Sequence, residues 1–88
     1  MTPSLTPEQL LLMADEFCAT HRVQIRDFGA LVAAAAVPGA HIAGIPVYEG
    51  TAASGRALAE AVTRLEPLSD HNREFGEACG KLYRILHS

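Results

Sequence analysis

Apolar side chains recur at helical spacing in four segments of the chain, and polar caps, prolines and glycines separate these segments. In the first segment the apolar positions are Leu10, Met13, Ala14, Phe17 and Cys18. Thr6 and Gln9 have the spacing of a capping box, and Pro7 suits the first helical position. We therefore predict a first helix that begins after Thr6 and ends near Thr20.

The second helix is predicted to begin at Asp27, because aspartate caps helix N-termini well. Pro38 and Gly39 should end it. The positions expected to face inward are Leu31, Val32, Ala35 and Ala36. So many alanines indicate that this helix packs closely against another one.

Three glycines and a proline fall within residues 39–50, where they favour turns and interrupt regular structure. We interpret this segment as a short hairpin or extended flap, with arms at residues 40–43 and 45–48 and a turn at Gly44. Pro46 limits the second arm to the character of an edge strand. An ordinary connecting loop is the alternative interpretation.

The third and fourth helices have the clearest apolar stripes. The third is predicted from Thr51 to Leu65, and Pro67 should end it. Its apolar stripe consists of Ala57, Leu58, Ala61, Val62 and Leu65, and its polar face carries Arg56, Glu60 and Arg64. The fourth helix is predicted from Asn72 to Leu86. Its inward positions are expected to be Phe75, Ala78, Cys79, Leu82, Ile85 and Leu86.

The composition is that of one small globular domain, residues 1–88, with 49% hydrophobic residues. The net charge is -3 and the seven Lys and Arg are dispersed along the sequence, which argues against a nucleic-acid partner. No apolar run reaches the roughly 18 residues that span a bilayer, and the N-terminus lacks a signal-peptide pattern. We expect a cytoplasmic protein with no membrane partner. Cys18 and Cys79 are then expected to be buried free thiols.

The segment from Glu66 to Arg73, which we call the polar loop, carries the most candidate chemistry. It leads into the start of a helix, where free N–H groups attract anions. A metal site is another interpretation, because carboxylates and imidazoles are metal ligands. The candidate ligands are Glu66, Asp70, His71 and Glu74. Their spacing matches no established site, and a solvated loop is the simpler interpretation.

The polar loop resembles the signature loop of the Fic/Doc family, whose pattern is His-x-Phe-x-Asp/Glu-small-Asn-Gly/Lys-Arg. Aligned without gaps, Asp70 and Asn72 match this pattern. The remaining positions differ: Glu66 replaces the catalytic His, Leu68 the Phe, His71 the small residue, Arg73 the Gly or Lys, and Glu74 the final Arg. The scaffold of the loop is therefore similar, while its chemistry is altered.

Four further segments resemble parts of Doc-type proteins, in the same order along the chain. They are residues 5–10, similar to the opening helix; 25–31, similar to an I/V-R-D-x-G-x-L segment; 44–48, similar to the G-x-x-x-Y end of a flap; and 51–65, similar to the helix before the loop. The resemblance implies an all-α fold, a small Fic/Doc-like helical bundle with a short β-hairpin flap.

In the Fic/Doc family this loop binds the phosphates of a nucleotide, its acidic residue holds magnesium, and its His takes a proton from a hydroxyl of the target. Most members transfer AMP, and Doc phosphorylates elongation factor Tu. By position, the resemblance assigns Mg²⁺ to Asp70 and the phosphates of a nucleoside triphosphate to Asn72 and Arg73. Glu66 or His71 would be the catalytic base. The flap residues would be Ile45, Val47 and Tyr48.

Two of the changes argue against catalysis. Glu66 is a weak base for a hydroxyl group, because a carboxylate has an ordinary pKa of ~4. Glu74 places negative charge where the family has a phosphate-binding Arg, and at ~4 Å the repulsion costs a few kcal/mol. We therefore expect a pseudo-enzyme that acts through protein binding in a toxin–antitoxin-like context. A divergent nucleotide-dependent kinase or AMP transferase is the alternative.

The expected partners are a second copy of the chain or a small antitoxin-like protein. Family members usually continue beyond the fourth helix. The outer side of that helix, with the first helix beside it, is therefore expected to leave apolar surface uncovered, including Tyr83 or Leu86. His21, His41 and His87 are isolated in the sequence and are expected at the surface. Tyr48 is expected to pack on the helices.

Overall fold

Helices make up most of residues 5–87, the part of the chain that the computed structural model describes. In chain order the elements are α1 (Pro7–His21), α2 (Phe28–Ala36), β1 (His41–Ile42), β2 (Ile45–Pro46), α3 (Gly50–Leu65) and α4 (Asn72–His87). The two strands form an antiparallel hairpin. The predicted, mostly helical fold with a short hairpin is confirmed. None of the helices in this range has both the length and the apolar character needed to cross a membrane.

The predicted caps of α1 and α2 form as the sequence indicates. The Gln9 N–H donates a hydrogen bond to the Thr6 hydroxyl at 3.1 Å, and the Thr6 N–H donates one to the Gln9 side chain at 2.9 Å. The Ala30 N–H donates one to the Asp27 carboxylate at 3.2 Å. Each cap therefore satisfies an N–H group that the helix itself leaves without a partner.

One apolar core lies between the four helices and includes a residue of the polar loop. Its buried residues are Leu10, Ala14, Leu31, Ala34, Ala35, Leu58, Ala61, Val62, Leu68, Phe75, Cys79 and Tyr83. The half-buried side chains of Met13, Phe17 and Cys18 pack against this core from α1. The inward face that the sequence predicts for α1 is thus confirmed.

Glycines bring the backbones of α3 and α4 into direct contact. A Cβ added to Gly76 would lie 2.7 Å from the carbonyl oxygen of Ala59, and one added to Gly80 would lie 2.7 Å from the carbonyl oxygen of Gly55. Non-bonded carbon and oxygen atoms repel strongly at this distance, and a backbone carbonyl in a packed helix has little room to shift. These positions therefore require glycine, and they fix which faces of the two helices meet.

The inward face of α4 differs from the predicted one by about a quarter turn. The buried residues are Phe75, Gly76, Cys79, Gly80 and Tyr83. Those predicted to face inward but found exposed are Ala78, Leu82, Ile85 and Leu86. The prediction was wrong because it followed the large apolar side chains, whereas the glycines set the contact with α3. For the same reason Tyr83, expected at the uncovered surface, is only 2% exposed.

Similar differences occur in α2 and α3. The buried residues of α2 are Ala30, Leu31, Ala34 and Ala35. Val32 and Ala36, which were predicted to face inward, are exposed. In α3, Ser54 and Gly55 are buried and Leu65 is exposed. In both helices small residues occupy contacts that the apolar pattern assigns to larger ones.

The hairpin turns at Ala43 and Gly44, whose φ angles are 53° and 79°. Two successive positive φ angles are typical of a type I′ turn, which suits a two-residue hairpin loop. Ile42 pairs with Ile45 next to the turn, and their side chains are 72% and 67% exposed. Among the helices and strands of residues 5–87, the two strands contact only each other. The predicted hairpin is thus confirmed, and the alternative of an ordinary connecting loop is wrong. The hairpin projects from the helices.

Cys18 and Cys79 are free thiols, as predicted. Cys79 lies in the core, and burial raises the pKa of its thiol from 9.0 to about 12, because the thiolate is poorly solvated there. Cys18 is half-buried. Burial and, to a lesser degree, the Asp15 carboxylate raise the pKa of the Cys18 thiol. Both thiols are therefore protonated and weakly nucleophilic at neutral pH.

Gly76→Ala is expected to lower the free energy of unfolding by about 2 kcal/mol, because the added methyl group meets the backbone of Ala59. Gly29→Ala in α2 is the matched control. The nearest atom to its Cβ is a carboxylate oxygen of Asp27 at 3.1 Å, which also accepts the hydrogen bond from the Ala30 N–H, so a loss smaller than that of Gly76→Ala is expected. Urea denaturation measures both variants. A Gly76→Ala variant as stable as the wild type would contradict the direct α3–α4 contact.

The buried Cys79 thiol predicts a loss of stability at alkaline pH. Its pKa is about 12 in the native state against an ordinary value of 9.0, so the native state holds the proton more tightly than the unfolded chain. The resulting contribution to the free energy of unfolding is fully present below the ordinary pKa of the thiol. It is lost as the pH rises towards the pKa in the native state, by up to about 1.4 kcal/mol per pH unit. Urea denaturation above neutral pH should show a steeper fall for the wild type than for Cys79→Ala. If the free energy of unfolding fell equally with pH in the two proteins, the burial of the Cys79 thiol would be contradicted.

Candidate functional site

The first half of the polar loop is held against the segment that joins α1 and α2. Ile25 and Leu68 form an isolated antiparallel bridge. The Ser69 N–H donates to the Gln24 carbonyl oxygen at 2.8 Å, and the Gln24 N–H donates to the Ser69 hydroxyl at 3.0 Å. The path of the loop is therefore fixed by paired backbone groups, and these groups are not available to a ligand.

Glu66, the first predicted catalytic residue, ends α3 in the left-handed conformation with a φ of 51°. Its N–H donates to the carbonyl oxygen of Val62 at 3.1 Å. Its own carbonyl oxygen accepts a hydrogen bond from Nη2 of Arg26 at 2.9 Å. The carboxylate is exposed. The backbone of Glu66 therefore has a structural role, as the C-cap of a helix, and only its side chain faces the surface.

Asn72, a predicted phosphate-binding residue, is bound at both ends of its side chain to Leu68. The Leu68 N–H donates to Oδ1 of Asn72 at 2.9 Å, and Nδ2 of Asn72 donates to the Leu68 carbonyl oxygen at 3.0 Å. Leu68 itself is 1% exposed. The side-chain amide therefore closes the loop and anchors Leu68 in the core.

His71, the second predicted catalytic residue, forms a pair with Glu74. Nδ1 of the ring lies 2.6 Å from Oε2 of the carboxylate. The residue has a positive φ of 59°, and its carbonyl oxygen accepts a hydrogen bond from the Phe75 N–H at 2.9 Å. The carboxylate holds the ring in one orientation, so Nε2 is the atom that can exchange a proton with a substrate.

Asp70 and Arg73, the predicted metal and phosphate ligands, both point to the surface. Oδ1 of Asp70 accepts a hydrogen bond from the His71 N–H at 2.8 Å. Nε of Arg73 lies 3.5 Å from Oε1 of Glu77, and the two side chains are 80% and 69% exposed. An exposed pair of this kind holds a side chain only weakly. Neither residue is therefore fixed rigidly in place for a ligand.

A polar depression of about 300 Å³ gathers the predicted catalytic, metal and phosphate residues. It is lined by Thr63, Glu66, Ser69, Asp70, His71, Asn72, Arg73 and Glu74. Three of these residues are carboxylates and one is a guanidinium. A phosphate held ~4 Å from a carboxylate is opposed by about 4 kcal/mol near a protein surface. These side chains therefore do not fit the phosphates of a nucleoside triphosphate.

The same depression offers little to a metal ion. Within residues 5–87, no group of three His, Cys, Asp or Glu side chains is placed to hold one. Mg²⁺ can bind through one or two carboxylates when substrate phosphates supply the other ligands. Here Asp70 provides the carboxylate, but the surrounding charges oppose the phosphates.

The predicted flap residues lie at the other end of α3. Ile45, Val47 and Tyr48 precede the first residue of this helix, and the polar loop follows its last. A helix of 16 residues is about 24 Å long. The side chains of Ile45 and Val47 are exposed, and Tyr48 is half-buried. The structure therefore groups the residues of the polar loop with one another and not with the flap.

His21 and His41 are exposed, as predicted, and His87 is half-buried. Two of these histidines, although isolated in the sequence, make ring contacts. His21 stacks on Phe17 with ring centroids 3.8 Å apart, and its ring lies 5.6 Å from that of His71. His87 contacts the ring of Tyr83 at 4.6 Å. The four-residue spacings within α1 and α4 could have indicated the contacts with Phe17 and Tyr83. The contact between the two histidines depends on how α1 and α4 meet.

An apolar groove of about 260 Å³ lies between α1 and α4, and we call it the α1–α4 groove. Its apolar lining consists of Met13, Phe17, Phe75, Ala78, Cys79 and Leu82, and its polar rim consists of Glu16, Thr20 and His21. Leu82 is 37% exposed, and the next turn of α4 exposes Ile85 and Leu86. Because His21 contacts His71, the groove ends beside the polar depression. It lies on the side of α4 that the sequence predicts to face inward, and neither Tyr83 nor Leu86, the residues expected at the uncovered surface, lines it.

No protein-family model, curated protein or solved structure matches the chain. The resemblance to the Fic/Doc family therefore rests on the residues of the polar loop and of the four flanking segments. What the site can bind is therefore inferred from its geometry. It consists of a fixed loop, an acidic depression and an apolar groove next to that depression.

Asn72→Ala is expected to lower the free energy of unfolding by about 2 kcal/mol, because the backbone N–H and carbonyl of Leu68 then lose their partners. Asp70→Ala is the matched control in the same loop. It removes an exposed carboxylate and should change stability by less than about 0.5 kcal/mol. Urea denaturation of both variants tests this assignment. Equal effects at the two positions would argue against a structural role for Asn72.

Proposed function

We propose that this protein is a Doc-like pseudo-enzyme that acts by binding a small protein partner, in a toxin–antitoxin-like context. The observation that carries the proposal is the α1–α4 groove, an open apolar surface that ends beside the polar depression. Exposed apolar grooves on small domains are typical of sites that bind other proteins. The resemblance of the polar loop supplies the toxin–antitoxin context.

The polar loop supports a binding role over a catalytic one. The side chain of Asn72 and the backbone of Glu66 are engaged in holding the fold together. The depression that they line carries an excess of carboxylates, which oppose a nucleotide. The loop therefore retains the scaffold of a transferase site without the charges that phosphate transfer requires.

The α1–α4 groove suits an apolar helix or extended segment of a partner. Phe17 and Phe75 lie with their ring centroids 5.1 Å apart, and Leu82 stands at the margin. An amphipathic segment binds such a surface by inserting a few apolar anchors, while polar residues at the rim fix its orientation. Here Glu16 and His21 provide that rim. A second copy of the chain is the other partner that this apolar surface fits.

The test is co-purification of the tagged chain with the product of the reading frame adjacent to its gene. Leu82→Lys is expected to weaken the complex at least tenfold, about 1.4 kcal/mol, because it places an ammonium group in the apolar contact. Val32→Lys is the control, since it adds the same charge at an exposed apolar residue of α2. The wild type should transfer neither phosphate nor AMP from nucleoside triphosphates with Mg²⁺. A complex that survives Leu82→Lys would contradict the assignment of the groove.

A divergent nucleotide-dependent transferase is the second candidate, and one observation favours it. The pairing of His71 with Glu74 is the arrangement by which enzymes orient a histidine base. In that case His71 would take the proton of a protein hydroxyl, and Asp70 would hold Mg²⁺. Transfer of phosphate or AMP from a radiolabelled nucleoside triphosphate, lost in both His71→Ala and Asp70→Ala, would support the transferase. It would contradict the proposal of a pseudo-enzyme.

A further inference from the structure

The basic residues that are dispersed in the sequence gather on one surface of the folded chain. Five of the seven Lys and Arg line two depressions of about 320 and 400 Å³ along the outer side of α3 and α4. They are Arg56, Arg64, Arg73, Lys81 and Arg84. The acidic residues in the same lining are Glu60 and Glu77. We call this surface the basic seam.

The cations of the basic seam form two clusters. Arg56 shares one depression with Lys81 and Arg84, and Arg64 shares the other with Arg73. Arg56 and Arg64 are eight residues apart on α3, which is about 12 Å along the helix axis. Ala59 and Glu77 line both depressions and therefore lie between the clusters, where Glu77 is paired with Arg73.

Most of these cations form no salt bridge among residues 5–87. Arg73 has Glu77 at 3.5 Å, in an exposed pair that contributes little. The other four side chains form no salt bridge with any of residues 5–87. The basic seam is therefore a field of positive charge on a protein whose net charge is -3, and the rest of the molecule is correspondingly acidic.

The outer face of α1 is complementary to the basic seam in sign and spacing. Glu8, Leu12 and Asp15 follow one another at helical spacing, and all three are exposed. The two carboxylates are seven residues apart, about 10 Å along the axis, and Leu12 lies between them with 68% of its side chain exposed. The sequence of α1 contains no Lys or Arg. We call this surface the acidic ridge.

We propose that the acidic ridge of one copy docks into the basic seam of a second copy. Glu8 and Asp15 each face one cationic cluster, and Leu12 covers Ala59 between them. The ridge and the seam lie on different helices, so the contact is head-to-tail and a bound pair still offers one free ridge and one free seam. Assembly therefore grows with concentration.

The charge pattern favours this occupant over two others. If two copies of the chain paired through their basic seams about a two-fold axis, cationic clusters would face each other. In a complex with nucleic acid, Glu60 and Glu77 would stand among the phosphates. The acidic ridge avoids the first repulsion and reduces the second, because it brings only two carboxylates and its middle position, next to Glu77, is an uncharged leucine. The contact does not use the α1–α4 groove and shares only Arg73 with the polar loop, so it does not depend on the groove that carries the proposed function.

Sedimentation velocity of the full chain tests the proposal. In a buffer of about 0.02 M salt the weight-average mass should rise with protein concentration above 9.4 kDa, and about 0.5 M salt should return it to that value. Association that persists or strengthens in high salt would assign the contact to apolar surfaces, such as the α1–α4 groove, and overturn the proposal. A monomer at low salt would also overturn it.

Two neutralised variants locate the contact. The ridge variant combines Glu8→Gln with Asp15→Asn, and the seam variant combines Arg64→Gln with Arg73→Gln. Each should associate at least tenfold more weakly than the wild type while keeping its helical circular dichroism. Mixed in equal amounts they should form a one-to-one complex and nothing larger, because the mixture contains one intact seam and one intact ridge per pair.

A matched control removes one charge of each sign elsewhere, by Arg22→Gln together with Glu49→Gln, and should associate like the wild type. If the mixture of ridge and seam variants stays monomeric, the proposal is wrong. If a duplex DNA of about 20 base pairs binds the wild type but not the seam variant, and the acidic-ridge variant still associates, the seam belongs to nucleic acid and the proposal is likewise wrong.

Discussion

The contact of the α3 and α4 backbones through glycine is the constraint on which the rest of the structure depends. Gly76 and Gly80 face the carbonyl oxygens of Ala59 and Gly55 at distances that exclude any side chain. Two helices that touch at their backbones can adopt only a narrow range of rotations about their axes. On any other face the side chains would hold the two backbones too far apart. The rotation of α4 in turn decides which of its side chains are buried.

This rotation has consequences on both sides of α4. On one side it buries Tyr83 and Cys79, and it leaves Leu82 and its neighbours on the surface next to α1, where they form the α1–α4 groove. On the other side it aligns the long cationic residues of α4 with those of α3, which forms the basic seam. One steric contact thus produces an apolar surface and a charged surface, and both surfaces are suited to binding proteins.

The polar loop is held in place by one side-chain amide and one backbone cap. Asn72 closes the loop around Leu68, and Glu66 caps α3 through its backbone. These roles need only an amide side chain and a peptide group, so they do not depend on the side chain at position 66. The identities of Asp70, His71 and Asn72 indicate a candidate site in the loop. The excess of carboxylates arises because the fold brings Glu66, Asp70 and Glu74 into one depression.

The sequence by itself determined the elements and their ends, because caps, breakers and apolar periodicity act over a few residues. Thr6, Asp27 and Gly44 are examples, and each has the local role that its type predicts. Only the tertiary structure decided which face of each helix is buried and which distant residues meet. Glycine carries no apolar signal, so periodicity could not show that Gly76 and Gly80 mark the contact. The meeting of His21 with His71, and of the basic residues of α3 with those of α4, depends on how the helices pack, which no local pattern specifies.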